Sequence, residues 1–540
     1  MPLSFAVAFD AVSVPKFFDL EALLPQDGVT LYLGVLVAVG AFLAVRYVHS
    51  PWRKLPPGPK GFPVVGNFIE LRNKQWLTFT ELSKQYGDLI YLNVGGQPLL
   101  VVNSLKVTAD LLDRRARIYS DRPRNIVASD ILTGGQLIVF AHHGDVWRRM
   151  RKAAHEALSK GIARGYYDIQ ARESVLLASI ALNDPVKWDQ HFRRASTSSI
   201  LSITYDLPVL ESEDDPRVVR INDYVGRLTR AAFPGAHWVE FFPWMKYIPS
   251  RLAKWKRDGY YWYEQDSLMF EGLLNKVRAE VAEGSERPSF CSSLIKEQAR
   301  FGISQRESAW LAGTLYSAGA ETTAAVLSWW ALAMIAFPET QKRAQQDLDR
   351  VVGRGRVPTF ADLPHLPYIQ AMVKETLRWR PVAPVGLPHR STEDDWYEGM
   401  FIPKGTIVIA NVWKMNHDPE LFGANADIFD PARHLDADGA LVPGVADTKD
   451  ESHVAYGFGR RICVGRHLAN NSLFINMAVL LWAANLEGAK DAQGRPAPID
   501  VDGCLEGGLV VRPVPFECSI TPRFSEALTV LAGERDVRGI

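Results

Sequence analysis

The residue best placed to do chemistry is Cys463, in the run Tyr456-Gly457-Phe458-Gly459-Arg460-Arg461-Ile462-Cys463-Val464-Gly465. It lies in a glycine-rich loop that opens a helical run from His467 through Leu468, Phe474 and Met477 to Leu481. Gly459 and Gly465 permit tight turns. Free amides at a helix start can hydrogen-bond a thiolate, which lowers the thiol pKa and keeps the sulfur available to a metal. Arg461 adds positive charge. Three other readings stand beside this one. Gly457-Phe458-Gly459 could begin a dinucleotide-binding GxGxxG, but Ile462 occupies the third position and no strong strand precedes it. Cys463 and His467 form half a metal site without a second pair. An inert buried cysteine is the plainest alternative.

Two further spacings carry charge. Glu375 and Arg378 lie three residues apart on one helical face, where they can pair with each other and with another arginine. Trp147 and Arg151 lie at i, i+4 and share a face. Singly, each pair is an ordinary feature of a helix.

In this order, these runs resemble the cytochrome P-450 family over nearly the whole chain. The resemblance implies that the Cys463 thiolate is the axial iron ligand of haem b (heme b). Glu375 and Arg378 would join Arg433, from Phe429-Asp430-Pro431-Ala432-Arg433-His434, where Ala432 replaces a usual glutamate and His434 a usual aromatic. Trp147, Arg151, Arg461 and His389, in Gly386-Leu387-Pro388-His389-Arg390, would hold the haem propionates, since buried carboxylates need charge-assisted hydrogen bonds. Ala318-Gly319-Ala320-Glu321-Thr322-Thr323 matches the oxygen-activation segment. Glu321 and Thr322 are then the catalytic acid–alcohol pair for proton delivery. Gly319 is expected to weaken the helix, and a threonine hydroxyl to bond back to a carbonyl and open a groove; the alternative is a helix crossing that needs small residues. Tyr456 stands where phenylalanine is usual, and Val464 where proline is common. The tyrosine hydroxyl needs a partner near the sulfur.

The activity implied is a haem-thiolate monooxygenase that inserts one atom of dioxygen into a C–H bond of a lipophilic small molecule. Fungal microsomal members, many of which decorate terpenoids and polyketides, look most similar. NADPH is the implied reductant. Its electrons would come through a partner NADPH–cytochrome P-450 reductase, with cytochrome b5 as a further donor, since no flavin-binding domain fits in the remaining sequence. Arg148, Arg149 and Lys152 would offer a basic docking face. The pocket is expected from Ile126 to Phe140, Tyr316 to Glu321, Val382 to Leu387 and Leu505 to Val510, mostly apolar segments. A haem-thiolate isomerase or dehydratase would not need the acid–alcohol pair or NADPH. A non-catalytic haem-binding protein would need only the ligand loop.

These side chains have to be positioned by helices. Ser304 and Glu307 form a capping box, and the pattern predicts a helix of about 33 residues, roughly 50 Å long, until Pro338 stops it. Pro367 to Arg380 predicts another, and Leu89–Val94 with Leu99–Val102 around Gly95-Gly96 a hairpin. Phe401 to Ala410 reads as short strands around a turn. The expected fold is mainly α with small β-sheets, one large haem-binding domain over 68–525 followed by a tail, 526–540.

Lys plus Arg equals Asp plus Glu at 61 each. A net charge of zero excludes the whole-chain attraction that marks nucleic-acid binders. The four cysteines are too few and too scattered for a disulfide scaffold. Val29 to Val45 contains 17 residues without a charge, roughly 26 Å as a helix, enough for a membrane anchor over 29–48. Asp10, Asp19, Glu21 and Asp27 precede it against Lys16, while Arg46, Arg53, Lys54 and Lys60 follow. That asymmetry predicts a lumenal segment over 1–28, a single pass through the endoplasmic reticulum membrane and a cytoplasmic catalytic domain. A cleaved signal peptide or a buried core helix are the alternatives. Four prolines from Pro56 to Pro63 read as a stiff hinge over 49–67.

Overall fold

The computed structural model describes residues 28–540 except 213, 233–235, 491–493, 496 and 507–509. The expected lumenal segment therefore lies outside the described residues, apart from Gly28. The described residues are mostly helical, with short strands in four small sheets among them. They divide into two units, residues 28–55 with 396–401, and the described residues of 56–395 with 402–540.

In the first unit, helix α1 (Gly28–Val48) makes up most of the apolar stretch Tyr32–Lys54, of mean hydropathy 1.7 and with none of its residues buried. A core helix would be covered, so the buried-helix reading fails. The helix is long and apolar enough to cross a bilayer. Ser50 caps the turn Pro51–Lys54 by accepting from the Trp52 amide. Trp52 then meets Phe401 edge-on, with centroids 6.1 Å apart.

The second unit begins within the expected hinge. The Tyr91 amide donates to Pro57 O (2.9 Å), and a Cβ on Gly58 would collide with the Tyr91 carbonyl. The proline segment from Pro56 onward is thus packed on a strand edge rather than free as a spacer. The hairpin forms as expected. β1 (Leu89–Val94) pairs antiparallel with β2 (Gln97–Val102) through Gly95 and Gly96, both at positive φ, as a tight hairpin turn requires. Two later strands complete this sheet, β3 (His389–Arg390) and β4 (Ile407–Ala410), in the order β1-β2-β4-β3.

Helix α2 (Asp145–Ala157) carries Trp147 and Arg151. α3 (Tyr167–Asn183) and α4 (Trp188–Tyr205) pack against each other, and α4 lies along the long helix α5 (Gln305–Ala336). The Ser304–Glu307 capping box is present and Pro338 follows the last turn, as expected. α5 is buried along most of its length, which makes it the axis of the core. α6 (Pro367–Trp379) and α7 (Arg466–Ala483) pack on it, and Trp330, Trp379 and Trp482 are fully buried among them. Burial of each large apolar side chain contributes roughly 1.5–3 kcal/mol.

The last element corrects the expectation of a tail. Residues Ala527–Arg538 form helix α8, which packs on α3 and buries Ala527 and Leu531 in the main core. The apolar residues of this short helix only become legible as a face once α3 is there to cover them.

Candidate functional site

Phe458 is buried, and Gly459 sits at φ 58 with the position of a Cβ only 2.1 Å from the Leu112 carbonyl oxygen. Only glycine fits there. Gly465 is different: its φ is −87, and it caps α7. What Gly465 contributes is its amide, which hydrogen-bonds the Cys463 sulfur. The Cys463 amide itself donates to Tyr456 O (2.8 Å), closing the loop. Cys463 is accessible, yet protein surrounds it closely. Burial pushes its thiol above the ordinary range, against the Gly465 amide, Arg151 and Arg466, which pull it down. The thiol is reachable but poorly hydrated, a setting in which binding to a cation rather than to water stabilises the thiolate.

Beside the loop lies a cluster of cations. Arg461 is buried and spends its N–H groups on Ser120 O (2.8 Å), Ile138 O (3.0 Å) and Ala141 O (2.7 Å). Arg151 donates to Ile462 O, next to the cysteine. Arg122, which no sequence motif singles out, is buried and donates to Val139, Leu387 and Pro388 carbonyls at 2.7–3.0 Å. Burial, then mutual repulsion, pushes Arg122 down to about 10 and Arg461 down to about 8. Asp121 is the acid that offsets them. Buried cations held this close are stabilised by additional anions.

His389 joins this cluster on β3. It is buried, its Nδ1 donates to Tyr119 O (2.8 Å), and burial followed by Arg122 pushes it down to about 3. It is therefore neutral, with Nε2 as an acceptor. Trp147 is buried too, but its indole N–H donates to Ile138 O (3.1 Å). The structure thus brings Trp147, Arg151, His389 and Arg461 together with Arg122, while giving the indole N–H a partner in the chain itself.

On α5, Ala318 is exposed although the helix is buried on either side of this segment, from Ser308 to Thr314 and from Ala324 to Met334. Thr322 Oγ1 bonds back to Ala318 O (2.8 Å), as expected. α5 runs without a break through Gly319. A Cβ at Gly319 would stand 2.7 Å from Ile200 of α4, so the glycine serves the helix crossing. Glu321 and Thr322 make separate contacts, because Glu321 faces Arg512 at 3.8 Å.

The family model for cytochrome P450 matches residues 56–517. A cytochrome P450 monooxygenase of Armillaria gallica is 63% identical over 96% of this chain and 100% of its own length. One from Postia placenta is 46% identical over 98% of this chain and 99% of its own, and one from Amanita muscaria 42% over 90% and 94%. The chain belongs to the cytochrome P450 family.

The donor set fits the haem that this family implies. A reachable sulfur receives an amide at the start of a helix, and two buried guanidiniums, Arg122 and Arg461, with the half-buried Arg151 and the acid Asp121 beside them, suit two propionate carboxylates. Arg122 is the residue that sequence reasoning missed. Its only local signal is an arginine before Pro123, and its partners are loops far away in the chain.

The remaining P450 features hold the fold. Glu375 and Arg378 are fully buried and bidentate, at 2.7 and 2.8 Å. Arg433 completes the group at 3.0 Å from Glu375 Oε1. His434 adds a fourth member at 2.9 Å from Oε2, so the histidine that replaces an aromatic is tied to the same carboxylate. Burial raises the Glu375 pKa, but Arg378 and then His434 outweigh it and hold the group at about 2. The Tyr456 hydroxyl finds its partner in Asn470 Oδ1 (2.6 Å), and Asn470 in turn donates to Glu451 (2.9 Å).

Two expectations change. Asp145 takes Arg149 and stands 3.5 Å from Arg148, so the basic face on α2 carries less free charge than its sequence suggests. Two of the expected pocket segments, Ile126 to Phe140 and Val382 to Leu387, border two separate cavities, while Tyr316 to Glu321 lines neither. One, of about 270 Å³, has Pro384 in its wall with Trp329 and Trp413, and with Cys504 and Val511, which flank the expected Leu505 to Val510. The other, of about 610 Å³, has Val127 and Leu132 with Trp255 and Trp262. Residues 507–509 of the last segment lie outside the described residues.

Proposed function

We propose that this P450 is a haem-thiolate monooxygenase of a lipophilic small molecule, a terpenoid or polyketide, with Cys463 as the iron ligand. The carrying observation is the accessible Cys463 sulfur, hydrogen-bonded by Gly465 and next to Arg151. Arg122, Arg151 and Arg461 hold the propionates, with His389 and Trp147 shaping the same wall. Bound haem supplies the electron-transfer and dioxygen chemistry, and a thiolate ligand favours O–O cleavage. The protein supplies the rest. The Gly465 amide and Arg151 hold charge on the sulfur, and Glu321 and Thr322 on α5 hold and pass protons. The apolar segments around Ile126 and Val382 exclude water from the substrate.

Electrons come from NADPH through a partner reductase, with cytochrome b5 as a second donor. α1 anchors the chain in the endoplasmic reticulum membrane with the catalytic unit in the cytoplasm, an orientation supported by the basic residues after the helix. The glutamate at 321 favours this reading over an isomerase or dehydratase.

The test is the absorption spectrum of the reduced, carbon-monoxide-bound protein beside a Cys463→Ser variant. A strongly red-shifted Soret band in the wild type, absent from the variant, is expected. An imidazole-type band in the wild type would sink the ligand assignment. NADPH-dependent product formation in a terpenoid and polyketide screen then tests the substrate class.

A further inference from the structure

The strand β6 (Val511–Pro513), paired with β5 (Cys504–Glu506), is fastened to α5 at several points. Trp329 Nε1 donates to Val511 O (3.1 Å). Arg512 Nη2 donates to the Glu321 carbonyl oxygen (3.3 Å), and its Nε lies 3.8 Å from the Glu321 carboxylate. On its other side the same guanidinium stands 3.6 Å from Asp189 Oδ1 of α4. That oxygen is fixed from α5 by the Ser328 hydroxyl (2.7 Å). A mostly buried cation is therefore shared between two carboxylates, one of them anchored and the other on the segment around Thr322. Val511 also donates its amide to Val382 O (2.8 Å), so this strand bridges two segments expected to meet substrate.

We infer that Arg512 is a positioning residue, held by Asp189 and Ser328, that aims the Glu321 carboxylate for proton delivery. The inference rests on the proton-delivery role of Glu321 proposed above. Arg512 need not touch substrate or cofactor. Its effect passes through Glu321, as a charged neighbour that restricts where the carboxylate sits.

Proton supply decides how dioxygen is reduced when NADPH is oxidised without organic substrate. Two electrons and two protons yield peroxide (NADPH + H⁺ + O₂ → NADP⁺ + H₂O₂). Four of each yield water (2 NADPH + 2 H⁺ + O₂ → 2 NADP⁺ + 2 H₂O). The experiment uses the haem-loaded full chain in vesicles with NADPH–cytochrome P450 reductase. Peroxide formed per NADPH and the solvent deuterium isotope effect are measured for Arg512→Gln, Arg512→Lys, Glu321→Gln and the Arg512→Gln/Glu321→Gln double variant. n-Octylamine binding, read from its spectral shift, reports the integrity of the site.

Arg512→Gln is expected to raise both the peroxide share and the isotope effect at least twofold, with n-octylamine affinity unchanged and Arg512→Lys partly restored. The double variant is expected to match Glu321→Gln, because coupled residues are not additive. If Glu321→Gln changes the partition and Arg512→Gln does not, or if the two effects add, Arg512 does not act through Glu321. If Glu321→Gln itself changes nothing, the proton-delivery reading falls and this inference with it. Should Arg512→Gln not retain haem, the same comparison is made with Arg512→Lys and Asp189→Asn, whose peroxide share is expected to rise in the same direction.

Discussion

Arg461 lies over the indole of Trp147, its guanidinium carbon 4.1 Å from the ring centroid. The indole and the guanidinium both donate to Ile138 O, so one backbone carbonyl joins α2 to the cysteine loop. A cation over an indole contributes about 0.5–2 kcal/mol. Trp147→Leu is therefore expected to lower haem retention several-fold, while Trp147→Phe keeps most of it. Haem per protein after gel filtration checks this. Full occupancy in the leucine variant would show that the stack is dispensable.

Two glycines of the ligand loop should respond in opposite ways. Gly459→Ala places a methyl against the Leu112 carbonyl at a positive φ and is expected to abolish the red-shifted carbon monoxide band. Gly465 has an ordinary φ and nothing within 4 Å of the place a methyl would take, so Gly465→Ala should keep the band and alter stability by less than about 0.5 kcal/mol. Equal behaviour of the two variants would contradict the loop geometry.

The buried Glu375 group predicts a sharp asymmetry between its partners. Arg378→Leu leaves the carboxylate with Arg433, His434 and the Asp430 amide, and also removes donors from the Asn416 and Ala426 carbonyls. A cost of about 3–5 kcal/mol is expected, enough to prevent accumulation of folded protein. His434→Phe restores the aromatic usual in the family and removes a single bond to a carboxylate that keeps both arginines. A loss of about 1–2 kcal/mol is expected. Thermal unfolding of both variants decides it, and a His434 variant as damaged as the Arg378 variant would refute the ranking.

Acid sensitivity should begin well above the carboxylate range. His417 is buried against Trp413, with ring centroids 4.1 Å apart, and burial followed by the nearby Arg378 pushes it down to about 3. A histidine whose folded pKa is lowered contributes stability that is full above its unfolded value near 6.5 and is lost as pH falls toward 3, because the unfolded chain takes the proton first. Glu375, held at about 2, adds to this loss only below its unfolded value near 4.5. Unfolding temperature should thus fall as pH drops from 6.5, and His417→Phe should flatten the upper part of that slope. An unchanged slope in the variant would assign the acid sensitivity elsewhere.

Sequence alone determined whatever local chemistry could specify. The capping box at Ser304 and the stop at Pro338 bound α5, two glycines set the β1–β2 hairpin, and an uncharged apolar run makes α1. Cys463 and the Glu375–Arg378 pair were legible because the relevant residues lie within a few positions of each other. Tertiary structure decided whatever depends on distant segments meeting. Arg122 matters because loops at Val139 and Leu387 converge on it, and His434 because Glu375 comes within 2.9 Å. Gly319, which reads as a weak point in a helix, is required by the close approach of Ile200. Ala527–Arg538 became a helix because α3 offers a surface to bury it. The pairing of Arg512 with Glu321 spans 191 positions, a distance over which spacing holds no information and only packing brings two charges together.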